Sequence, residues 1–101
     1  MAAYKQKLLE GCGRHVLELR VFGSRVRGDA RADSDLDVFV MVDTEELDVW
    51  TRIQHAAWEV GYEQELPFSI SPLIMTRDHF EELYRRERLI ARDIAAEGVL
   101  V

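Results

Sequence analysis

The sequence predicts an α/β (α+β) domain: a small mixed sheet of three to four strands with helices packed mainly on one face. Three observations predict it. Runs of strand character at residues 15–22, 35–42 and 68–75 are separated by stretches with helical apolar spacing. The middle run is almost continuously apolar from Leu36 to Val42, which suits a strand covered on both faces. Between the second and third runs, Leu47, Trp50, Ile53, Ala57 and Val60 recur at spacings of three and four, the signature of one buried helical face.

The whole chain sets limits on what this domain does. With 101 residues it has room for one domain, residues 1–101, and its 48% hydrophobic content and nine aromatic side chains are sufficient for one packed core. Nineteen acidic against thirteen basic residues give a net charge of −6, so broad electrostatic binding of nucleic acid is not expected. A phosphate-bearing ligand would need a local site or metal ions. Cys12 is the only cysteine, which rules out an intrachain disulfide or a multi-cysteine zinc site and is compatible with a reducing compartment. No apolar run reaches membrane-spanning length and no signal-peptide stretch follows the N-terminus, so the expectation is a soluble, cytoplasmic protein.

In chain order, residues 3–11 carry Leu8 and Leu9 among spaced charges and read as a short helix, with Gly11 and Gly13 placed to end it. Leu17, Leu19 and Val21 then alternate as the buried face of a first strand. Ser24 to Arg27 reads as a helical turn before Gly28, and residues 29–33 as a polar surface loop. The second strand follows, entered through Ser34 and Asp35. Asp43 and Glu46 have the spacing of paired caps at the start of the next helix, and Gly61 is placed to end that helix. The third strand, Phe68 to Met75, contains Pro72 and is therefore expected at a sheet edge or bulge. Thr76 is a candidate N-cap for one or two helices running to Gly98, and Val99 to Val101 reads as a minimal strand or a packed tail.

The chemistry concentrates between the first two strands. Asp35 and Asp37 lie at i and i+2 of an extended segment, a spacing that sends both carboxylates to one side. Hard divalent cations such as Mg²⁺ or Mn²⁺ take such oxygen ligands and keep positions for water and substrate phosphates. Upstream, Gly23 permits close backbone approach, Ser24 offers a hydroxyl to a phosphate oxygen, and a following helical turn would present free N–H groups to an anion. Arg25 and Arg27 carry guanidinium forks that match phosphate, although arginines on a surface turn are ordinarily just solvated. Each half alone reads as a turn or a solvated strand entry. The order strand, Gly-Ser, connector, Asp-x-Asp, strand reads as one site.

Gly23-Ser24 followed by Asp35-Leu36-Asp37 resembles the hallmark of the DNA polymerase β-like nucleotidyltransferases, and Arg25, Arg27, Gly28, Ser34 and Asp35 resemble its minimal bacterial and archaeal members. The resemblance implies a domain that binds a nucleoside triphosphate with Mg²⁺ or Mn²⁺ and transfers a nucleoside monophosphate to a hydroxyl, releasing pyrophosphate. It assigns the metals to Asp35 and Asp37, which are then the catalytic residues, and the nucleotide's outer phosphates to Gly23 and Ser24. It also implies a protein partner, since many minimal members are antitoxins paired with a helical HEPN-type toxin; a homo-oligomer is the other expectation for so small a domain.

One departure bears on turnover. Active members add a third carboxylate from the next strand, but Phe68 to Met75 contains no Asp or Glu. Ser69, or Ser71 in a shifted register, stands at that position, with Glu63 and Glu65 upstream as substitutes only if the strand starts earlier. The alternative function is therefore a catalytically weak or inactive antitoxin or regulatory partner. His15, His55 and His79 share no metal-ligand spacing. Trp50 and Trp58, eight positions apart on one helix, read first as core and second as an exposed patch.

Overall fold

A computed structural model describes residues 2–23, 28 and 35–100. The helical turn and polar loop expected within residues 24–34 fall, apart from Gly28, outside the described residues, as do the side chains of Ser24, Arg25 and Arg27. Helix α1 (Ala2–Cys12) leads through a single 3₁₀ turn into β1 (Val16–Phe22); β2 (Leu36–Val42), α2 (Leu47–Glu63), β3 (Ile70–Thr76), α3 (Arg77–Arg85), α4 (Leu89–Glu97) and β4 (Val99–Leu100) follow. No helix among the described residues is long and apolar enough to cross a membrane.

The sheet order is β3-β2-β1-β4. β1 is antiparallel to both β2 and β4, whereas β2 and β3 are parallel and joined across α2, so the sheet is mixed. β2 is an interior strand, and its alternation explains its near-continuous apolar run. Val38, Val40 and Val42 enter a core with Tyr4, Leu8, Leu19, Ile53 and Val60 beneath α1 and α2. Phe39 and Met41 point to the opposite face, where Phe22, Met75 and Ile94 are buried with Leu73, Phe80 and Leu83 packed against them. The two longer helices cover the larger core and the two nine-residue helices close the smaller one.

Tyr4 pins α1 to α2. It is fully buried, its hydroxyl donates to the Ile53 carbonyl at 3.1 Å, and burial pushes its phenol well above the ordinary tyrosine range. Cys12 is buried in the same core, as a packing residue would be, and burial raises its thiol pKa.

Several local expectations are corrected. Leu17 is exposed because the ladder slips there: Val16 pairs with Val42 but Glu18 with Met41, leaving Leu17 as the extra residue of a bulge. Asp43 does not cap α2; its carboxylate lies 2.8 Å from His15 Nδ1, while Thr44 Oγ1 accepts from the Glu46 N–H. Leu47 is exposed and Val49 takes its place on the buried face of α2. That helix runs past Gly61 to Glu63, and Glu65 turns the chain with φ of 50°. After Thr76, whose hydroxyl accepts from the His79 N–H, the helical stretch breaks into two at Glu87, where φ is 57°. β3 is an edge strand, as Pro72 implied, and Val99–Leu100 forms the minimal strand β4.

Candidate functional site

The site grows from the place where β1 ends beside the beginning of β2. Phe22, the last residue of β1, is the cross-strand partner of Asp37. The chain then leaves the sheet through Gly23 with φ of 84°, a left-handed conformation that side chains rarely adopt. Space gives a second reason for glycine. A Cβ at residue 23 would collide with the Asp37 carboxylate oxygen and would stand 3.1 Å from its Cγ and 3.3 Å from its Cβ. The half-buried Asp37 carboxylate therefore rests directly over the Gly23 backbone.

Asp35 precedes β2 by one residue and is exposed. On the other flank, Asp37 is the register partner of Ser71, and the Leu36 N–H donates to the Ser69 carbonyl at 2.9 Å. Partner residues on neighbouring strands project to the same face, so the Ser71 hydroxyl stands beside Asp37 and Ser69 lies one step nearer Asp35. Neither glutamate substitutes. Glu63 ends α2 and accepts from Lys7 Nζ of α1 at 3.4 Å, whereas Glu65 sits in the exposed turn after that helix. Among the described residues no group of three or more histidine, cysteine, aspartate or glutamate side chains gathers at one point. Two carboxylates with serines alongside still fit a hard divalent cation, which takes one or two protein carboxylates and completes its shell with water and phosphate oxygens.

Asp35 also reaches the rim of a cavity of about 500 Å³ between the C-terminal half of α2 and the segment entering β3, lined among others by Gln54, Trp58, Tyr62, Phe68 and Ser69. Trp58 is exposed, whereas Trp50 is partly buried and its indole N–H donates to the Thr44 carbonyl at 2.8 Å. Of the two readings of these tryptophans, Trp50 follows the core and Trp58 the surface. The sequence signal for the cavity wall was the four-residue step from Trp58 to Tyr62, which aligns two rings on one helical strip.

The histidines lie elsewhere: His15 bonds Asp43, His55 pairs with Glu59, and the His79 N–H serves the cap of α3.

Comparison with known proteins accounts for this arrangement. A nucleotidyltransferase domain family matches residues 5–100. Protein adenylyltransferase MntA of Thermococcus cleftensis is 49% identical over 47 residues, a stretch covering 46% of this chain and 43% of that relative, so the aligned part spans less than half of the curated protein. Two solved structures share the fold. A chain provisionally described as a minimal nucleotidyltransferase superposes with a TM-score of 0.58 at 23% identity, covering 99% of this chain and 91% of that one. A toxin–antitoxin crystal structure with AMP-PNP gives a TM-score of 0.56 at 17% identity, over 96% of this chain and 68% of that one. With nearly its whole length matched and its strand-end glycine seated under the second aspartate, this chain belongs to the nucleotidyltransferase domain family.

Proposed function

We propose that the domain binds a nucleoside triphosphate with Mg²⁺ or Mn²⁺ and transfers a nucleotidyl group to a hydroxyl acceptor. The observation that carries this reading is the packing of the Asp37 carboxylate against Gly23, which joins the metal half and the phosphate half of the motif in one place. Asp35 and Asp37 would hold the metal. Bound there, it would neutralise charge on the phosphates and align the attacking and leaving oxygens. Gly23 allows phosphate to approach the backbone, and Ser24, Arg25 and Arg27 are assigned to the outer phosphates on the motif alone. In the reaction the acceptor oxygen bonds the α-phosphorus, the bond to pyrophosphate breaks, and the acceptor's proton passes to solvent water. ATP is the first nucleotide to test, because the aligned relative is a protein adenylyltransferase. The compartment assigned with this activity is the cytoplasm.

A second reading is favoured by one specific observation. Ser71, beside Asp37, supplies a hydroxyl where a third carboxylate would ligate a metal or accept the acceptor's proton. This reading makes the domain a nucleotide-binding antitoxin or regulatory partner of a HEPN-type protein with little turnover, and the toxin–antitoxin neighbour supports it.

Calorimetry with ATP, GTP, CTP and UTP in Mg²⁺ tests the common part: binding is expected, and loss on combining Asp35→Asn with Asp37→Asn. Unchanged binding in that double variant would sink the proposal. Incubation with labelled nucleotide and the product of the neighbouring gene, read by mass spectrometry, separates the two readings, since an added nucleotide that depends on Asp35 and Asp37 selects the transferase.

A further inference from the structure

Helix α3 leaves part of its apolar strip uncovered. None of its nine residues is fully buried, and between it and α4 runs a groove of about 450 Å³ lined by Phe80, Glu81, Tyr84, Arg85 and Ala95. Phe80 and Tyr84 form its floor with ring centroids 6.3 Å apart, and the Arg92 guanidinium lies 4.9 Å from the Tyr84 ring centroid, which holds that ring in place. Tyr84 nevertheless stays 41% exposed. Charge is segregated along the same helix. Past Arg77, the acidic side chains Asp78, Glu81 and Glu82 come first, and Arg85 and Arg86 come last. That order suits the helix dipole, but the dipole does not account for the groove. Glu82 and Arg86 form an ion pair at 3.7 Å across one helical turn. Glu81 and Arg85, at the same spacing and beside the groove, join no ion pair among the described residues.

We propose that a second copy of this chain covers the groove, its α3 packed antiparallel to α3 of the first about a two-fold axis at the level of Leu83. Glu81 and Arg85 stand symmetrically before and after Leu83, so in this arrangement Glu81 of each copy meets Arg85 of the other. The same axis brings the two Tyr84 rings together at the centre, with a Phe80 on either side. The result is an apolar centre inside a charged rim, the usual anatomy of a protein interface, in which tyrosine and arginine are enriched. A parallel pairing would instead set Glu81 against Glu81 and Arg85 against Arg85, at a cost in like-charge repulsion. The charge order thus selects the antiparallel pairing, and a two-fold contact of this kind closes on itself as a dimer. It uses no residue of the Gly23 and Asp37 motif, and it stands or falls independently of nucleotide binding.

Sedimentation equilibrium over a concentration series tests this on the whole chain as wild type, Glu81→Arg, Arg85→Glu and the double swap Glu81→Arg with Arg85→Glu. Both positions are exposed, so all three variants should fold, which circular dichroism checks. Wild type should form a dimer. Each single variant sets like charges against each other across the axis and should raise the dimer dissociation constant roughly tenfold or more. The double swap should restore it. The decisive sample is an equimolar mixture of the two single variants. Only an antiparallel contact pairs arginines of one with glutamates of the other at both positions, so native mass spectrometry should find the mixed dimer in excess of either homodimer. A wild type that stays monomeric up to its solubility limit overturns the proposal and leaves the groove to a different protein. Single variants that dimerise as tightly as wild type, or a mixture that yields no excess of the mixed dimer, overturn it as well.

Discussion

Gly23 and Asp37 occupy one small volume, so neither residue can be understood alone. The close backbone approach that a glycine permits was legible at this position, and its phosphate role came from the motif. Its steric fit to the aspartate was not, because that contact is created by the pairing of Phe22 with Asp37 across 15 positions of sequence. Gly23→Ala should accordingly lower stability by about 1–3 kcal/mol, through the left-handed backbone and the displaced carboxylate together. It should also weaken nucleotide binding as Asp37→Asn does. Urea denaturation and calorimetry provide the two readings. Pairing Gly23→Ala with Asp37→Ala should recover part of the stability and none of the binding, a coupling that independent sites would not show. Ser71 is similarly a product of register: the sequence offered it as an alternative to Ser69, and only the ladder puts it next to Asp37.

Elements were more legible than their ends and faces. The apolar run of β2, the helical spacing of α2, the edge position of β3 and the cap at Thr76 all follow from local sequence. The errors at Leu17 and Asp43 share one cause, since each side chain answers to a neighbour that periodicity cannot see. For Leu17 that neighbour is a slipped ladder, and for Asp43 it is His15, whose carbonyl also accepts from the Asp43 N–H at 3.0 Å. The cap has an energetic consequence. α3 buries none of its residues fully and holds to the sheet through Phe80, whose ring lies 5.1 Å from that of Phe39. A helix of nine residues does not persist on propensity alone. Thr76→Ala should cost about 1 kcal/mol in thermal or urea unfolding. Hydrogen exchange should show the loss of protection concentrated in residues 77–85, not spread over α2.

At the scale of the molecule, β2 belongs to both cores, giving its even-numbered valines to one face and Phe39 and Met41 to the other. The two halves should therefore unfold together. Ile53→Ala in the larger core should cost about 2–5 kcal/mol and Phe39→Ala in the smaller about 3–5 kcal/mol. In each case far-ultraviolet dichroism and tryptophan fluorescence should report one coincident urea transition. Separate transitions for the two probes would show that the layers are independent. The order β3-β2-β1-β4 itself was not legible, because hydrophobic period tells a strand which faces are buried and not which strand lies beside it.

Pro72 affects more than the placement of β3. It lies at the middle of that edge strand and removes a backbone donor where an incoming strand would need one, while β4 at the other edge is two residues long. Lengthening the sheet from outside is thus discouraged on both sides. A second copy or another protein would have to grip this domain by its side chains, so specificity in any assembly would be written on the helical surfaces and loops, not in backbone hydrogen bonds.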